Sequence, residues 1–136
     1  MAKSKIVTTP PLSGGVDPLK DFEWRFPCTI IRVIDGDTVE VQPKIGFGVM
    51  FEKIRIRLQD INAPETRTRD KEEKKRGLAS KAYLQELLPV GLKCVYRSMK
   101  FNPDKTFNRY LGDITTNDFD SIRTAMVSAG HAVIVK

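Results

Sequence analysis

Two runs of β-branched residues joined by Asp-Gly-Asp, in PCTIIRVIDGDTVEV at positions 27–41, constrain this chain more than any other stretch. Val, Ile and Thr lose side-chain freedom in a helix but pack well on a pleated surface, and Asp-Gly is a strong signal for a tight turn. The segment reads as a β-hairpin with Asp35, Gly36 and Asp37 at its bend. A second bend near Gly46 and Gly48 leads into VMFEKIRIRL, where Ile54, Ile56 and Leu58 share one face and Arg55, Arg57 and Gln59 the other. One face goes to a core, and two guanidinium groups stand on the opposite one.

After Glu65 the text TRTRDKEEKKRG mixes both charge signs with no apolar residue and reads as a mobile, solvated loop. From Leu78 to Leu88, LASKAYLQELL has good helix formers with Leu84, Leu87 and Leu88 at helical spacing, stopped by Pro89 and Gly91. LKCVYRSMKF and RYLGDI alternate as strands. DSIRTAMVSAG is a helix capped by Asp120 or Ser121, with Ile122, Ala125, Met126 and Ala129 as its buried stripe and Gly130 at its end. HAVIVK is a strand-like tail, and His131, just past the helix-ending glycine, reads as structural. Five strands, with one helix after the third and another after the fifth, predict a mostly β fold in which a small barrel closes on itself.

A length of 136 residues, 40% of them hydrophobic, supplies one core and one folded unit. Residues 1–21, rich in Pro, Gly, Ser and Thr, read as a flexible arm, and the alternation of Phe22, Trp24 and Phe26 opens a domain over 22–136. The basic start carries no apolar run long enough for a signal peptide and nothing later approaches a membrane span, so an intracellular, cytoplasmic location and no membrane partner are expected. Lys and Arg outnumber Asp and Glu by 23 to 17, a net charge of +6, which favours an anionic partner such as nucleic acid. Cys28 and Cys94 each sit in an apolar stretch and read as small buried thiols.

The chemistry concentrates at two places. Asp35, Asp37 and Thr38 offer hard oxygens of the kind Ca²⁺ or Mg²⁺ prefers, although Asp is common in turns for conformational reasons alone. DINAPET, at 60–66, brings Asp60, Asn62 and Glu65 close to the strand that carries Arg57, and Pro64 fixes the backbone so that the Ala63 carbonyl can be aimed. A rim of surface ion pairs would look similar and be worth little. A phosphodiester is the natural object for both clusters together: a cation and guanidinium groups neutralise its charge, and a carboxylate such as Glu65 can take a proton from water.

VIDGDTVEV, RLQDINAPET, GLAS, DKTFNRYLGDI and AMVSAGHAVIV, in this order and spacing, resemble the staphylococcal (micrococcal) nucleases, or thermonucleases, over about Pro27 to Val135. The resemblance implies a five-stranded OB-fold barrel with two short helices that cleaves DNA and RNA with Ca²⁺ by in-line attack of water on phosphorus. By motif, Asp37 and the Ala63 carbonyl would be metal ligands and Glu65 the general base. Arg57 and Arg109 would stabilise the transition state, and Lys105 would reach a terminal phosphate. DKTFNRYL holds one residue more than the family's usual DKYGRxL, so the loop before Arg109 must bulge.

The sequence departs from the family at Asn62, where a second metal carboxylate usually stands. An amide oxygen still coordinates Ca²⁺, but losing a formal charge weakens affinity; Asp60 is the nearest carboxylate to compensate, and Mg²⁺ or Mn²⁺ could replace Ca²⁺. The family's C-terminal helix and base-contacting tyrosines are not in the sequence. Substrate grip would then fall to the basic loop from Arg67 to Arg76, and the arm with Trp24 or a second copy, as a homo-oligomer, would cover the apolar surface. Retention of Arg57, Glu65 and Arg109 favours a nuclease over a barrel that only binds nucleic acid or protein. A plain OB-fold binder of single strands would want exposed aromatics on its strands, and the sequence has few.

Overall fold

The computed structural model describes residues 24–100 and 110–135, so the arm at 1–21 lies outside the described residues. The strands are β1 (Trp24–Asp35), β2 (Thr38–Gly46), β3 (Val49–Met50), β4 (Ile54–Leu58), β5 (Ile61–Asn62), β6 (Lys93–Lys100), β7 (Tyr110–Thr115) and β8 (Val133–Ile134). The helices are α1 (Lys71–Leu87) and α2 (Ile122–Ser128).

A barrel closes when one strand can serve two neighbours, and β1 does so because it is long and irregular. Its first half pairs antiparallel with β6, Trp24 opposite Ser98 through Thr29 opposite Lys93, and its second half pairs with β2 down to Asp35 opposite Thr38. Register breaks between Ile30 and Arg32 and between Val33 and Asp35 bend the strand between these partners. The closed order is β1, β6, β7, β4, β2 and back to β1, with β4 and β7 parallel and every other pair antiparallel. This is the five-stranded mixed barrel of an OB-fold. β3 extends β2 as a short hairpin whose tip, Phe47, is fully exposed.

The inward positions carry the β-branched and aliphatic residues that alternation predicted: Ile30, Val39, Val41, Ile56, Leu58 and Ile114 have almost no exposure. Each such side chain contributes about 1.5–3 kcal/mol when buried. Leu84 from α1, Leu88 at its C-cap, and Ile122 and Met126 from α2 join this core. Ala125 is half-buried and Ala129, the C-cap of α2, is exposed, so the stripe of that helix is narrower than its sequence suggests. Ser121 is its N-cap, accepting from the Thr124 amide at 3.2 Å.

The charged stretch before Leu78 is a correction. Helix α1 begins at Lys71, seven residues earlier than apolar spacing indicates, because Asp70 caps it by accepting from the Glu72 and Glu73 amides at 3.0 and 3.4 Å. Glu72 and Glu73 in the first turn suit the positive end of the helix dipole. These turns bury almost nothing, so the apolar pattern could not register them. No helix among the described residues is long and apolar enough to cross a membrane.

Candidate active site

The bend between β1 and β2 presents Asp37 to the end of β4. Its backbone carbonyl accepts from the Leu58 amide at 2.8 Å, which ties the turn to the strand carrying Arg57. The side chain is nearly buried and fully engaged: Oδ1 accepts from Thr38 Oγ1 at 3.0 Å, and Oδ2 accepts from the Ala63 amide at 3.0 Å while lying 3.3 Å from Arg57 Nη2. A buried carboxylate without such partners would be costly. Asp35 accepts a short bond from Thr66 Oγ1 at 2.6 Å, which ties the other side of the bend to the loop after Glu65.

Arg57 is held from both ends of its guanidinium. Nη1 donates to the carbonyls of Leu58 and Ile61 at 3.0 and 2.8 Å, and Nη2 donates to Asn62 Oδ1 at 3.2 Å. The planar fork that suits phosphate oxygens is thereby oriented before any substrate arrives. Asn62 is itself fixed because β5 pairs with β8, Asn62 opposite Val133.

Asp35, Asp37, Thr38, Arg57, Asn62, Ala63, Pro64 and Glu65 line one cavity of about 260 Å³. Seven of the residues singled out in the sequence therefore meet in one place. Asp60 does not: it takes a left-handed turn conformation with φ of 62°, is exposed, and stands 3.8 Å from Arg123. It is not among the residues that line this cavity. Arg109 and Lys105 lie outside the described residues.

The oxygens of Asp37, Asn62 and Ala63 at this cavity are a carboxylate, an amide and a carbonyl, hard donors of the chemical type that Ca²⁺ prefers. Among the described residues there is no group of three or more His, Cys, Asp or Glu that could hold a metal ion.

Sequence reasoning assigned no role to the helix face behind the cavity. A Cβ on Gly36 would come within 2.8 Å of both Ala63 and Ser80, and one on Gly77 would strike the backbone of Pro64 and Glu65. Small residues three apart on α1 thus let the helix press against the loop that carries Glu65. Their spacing, with Leu84 on the same face, was the available signal. Ser80 Oγ also donates to the His131 carbonyl at 2.8 Å, and the His131 ring stacks on Tyr83 at 4.7 Å, which gives this histidine a packing role.

The family model described as staphylococcal nuclease homologue matches residues 55–136. That span takes in Arg57, Asn62, Ala63 and Glu65 and leaves the Asp35–Thr38 bend outside it. No curated protein matches the chain.

Proposed function

The chain belongs to the staphylococcal nuclease homologue family, and from that premise we propose that it is a metal-dependent phosphodiesterase, an endonuclease acting on DNA, RNA or both. The observation that carries the reading is the meeting of Asp37, Arg57, Asn62, Ala63 and Glu65 on one cavity. Glu65 is exposed at this cavity, within reach of solvent, and takes the proton of the attacking water. Arg57 neutralises the charge that grows on the phosphate oxygens during in-line attack; its fixed orientation means little reorganisation accompanies the step. A Ca²⁺ held by Asp37, Asn62 and the Ala63 carbonyl, or Mg²⁺ or Mn²⁺ in its place, would supply further positive charge to the same phosphate. Arg109 would add a second guanidinium and Lys105 would hold a terminal phosphate. The net charge of +6 draws the polyanion in.

One observation favours a different reading. With Asn62 in place of a carboxylate and bonded to Arg57, the cation site has one formal charge fewer, which suits a module that binds nucleic acid or protein without cutting. Incubation of plasmid, denatured DNA and RNA with the protein, in Ca²⁺ or in chelator, separates the two. Fragments are expected with Ca²⁺ and none with chelator; binding without cleavage in Ca²⁺, Mg²⁺ and Mn²⁺ would identify the module instead.

A further inference from the structure

Outside the cavity, the pair of nucleophilic side chains that the proposed chemistry leaves unused is Cys28 and Cys94. They are direct partners across the β1–β6 seam, both are free and buried, and their sulfurs lie 3.4 Å apart. Residues directly opposite each other on antiparallel strands have Cα atoms about 4.5–5.5 Å apart, inside the range that a disulfide spans. Facing Cβ atoms of such a pair lie about 4.5–5.5 Å apart against about 3.5–4.5 Å in a disulfide, so bonding the two sulfurs calls for side-chain rotation and a small closing of the seam.

We propose that Cys28 and Cys94 form a modification site, a dithiol that oxidises to an intramolecular disulfide fastening β1 to β6. The two sulfurs stand at hydrogen-bonding distance, and either can be the donor. The hydrogen bond to Cys94, and then burial, hold the Cys28 thiol above its ordinary range, while the hydrogen bond from Cys28 draws Cys94 below it.

The oxidant is a small-molecule disulfide such as oxidised glutathione. One of the two thiols gives up its proton to water and attacks a sulfur of the small disulfide, expelling one small thiolate; the other then gives up its proton and attacks the protein sulfur of the mixed disulfide, expelling the second, and the two small thiolates take up the released protons. Two protein thiols and one small disulfide become one protein disulfide and two small thiols, with two electrons passing to the small disulfide. Because both cysteines are buried, the exchange runs through open states of the seam.

The bond would close a long loop, the cysteines being 66 positions apart, and so would restrict the unfolded chain strongly. Two thiols acting only as core filler would behave differently, since forcing them together would strain the seam.

The test equilibrates the reduced protein with oxidised glutathione, then combines alkylation under denaturing conditions with intact mass and thermal unfolding. The expected product is a monomer two hydrogens lighter, with no thiol left to alkylate, melting roughly 10 °C higher. Reductant should reverse the rise. Two alkylatable thiols after treatment, glutathione adducts or linked dimers alone, or an oxidised monomer that melts no higher, would each overturn the proposal. So would a reductant-sensitive rise that persists in Cys28→Ala or Cys94→Ala; if either variant fails to fold, the measurements on the unaltered protein decide alone.

Discussion

Glu65→Gln is expected to lower kcat for DNA cleavage by about 10²–10⁴-fold, the usual contribution of a positioned general base. The substitution keeps the shape of the side chain and removes only its capacity to accept a proton from water. Glu65 is exposed, so its loss should leave the fold intact. The loop around it is held independently: Thr66 bonds Asp35, Ala63 bonds Asp37, and Gly77 of α1 packs on the Glu65 backbone. DNA binding, which the proposed function assigns to Arg57 and the overall positive charge, should stay close to that of the unaltered protein. Single-turnover cleavage with a parallel binding isotherm checks both. A variant that cuts at the original rate would remove Glu65 from the chemistry, and one that loses binding and cutting together would make it a structural residue.

Asp113→Ala is expected to lower the unfolding free energy by about 3–5 kcal/mol, the cost of stripping one partner from a buried ion pair. Asp113 is fully buried on β7. Its carboxylate lies 3.1 Å from Arg123 Nε and accepts from the Ile114 amide at 2.8 Å, the Arg123 amide at 3.1 Å and the Ser121 hydroxyl. The substitution leaves the charge of Arg123, about a quarter exposed, without its nearest partner. It also frees the turn between β4 and β5, which Arg123 holds by donating from Nη1 to the Gln59 carbonyl at 2.9 Å. Urea denaturation measures the loss. A shift below about 1 kcal/mol, the range of surface ion pairs, would show that this network contributes little to stability.

The barrel was legible because strands such as β4 alternate with period two, and the first bend because Asp-Gly names its own turn. The long third strand of the sequence is in fact two pieces, β3 and β4, separated at Phe51–Lys53, and alternation does not mark such a break. The beginning of α1 was illegible for a definite reason: Lys71 to Arg76 bury little, and their helical state rests on the Asp70 cap, a signal of one residue among many charges. At the cavity, residue types in IDGDT and DINAPET pointed to their own meeting place. The sequence could not say that Arg57 would bridge Asp37 and Asn62, because that contact depends on how β4 and the bend dock through Leu58. Asp60, which takes a left-handed conformation after β4, stands 3.8 Å from Arg123 and is not among the residues lining the cavity.

Calorimetric titration of Ca²⁺ into the protein, Asp37→Asn and Asn62→Asp probes the cation site without relying on turnover. Affinity should rise in Asn62→Asp, which adds a formal charge beside the Ala63 carbonyl, and should fall sharply in Asp37→Asn, which takes away the carboxylate of the proposed ligand set. Ca²⁺ binding that survives Asp37→Asn unchanged, or that weakens in Asn62→Asp, would contradict the account.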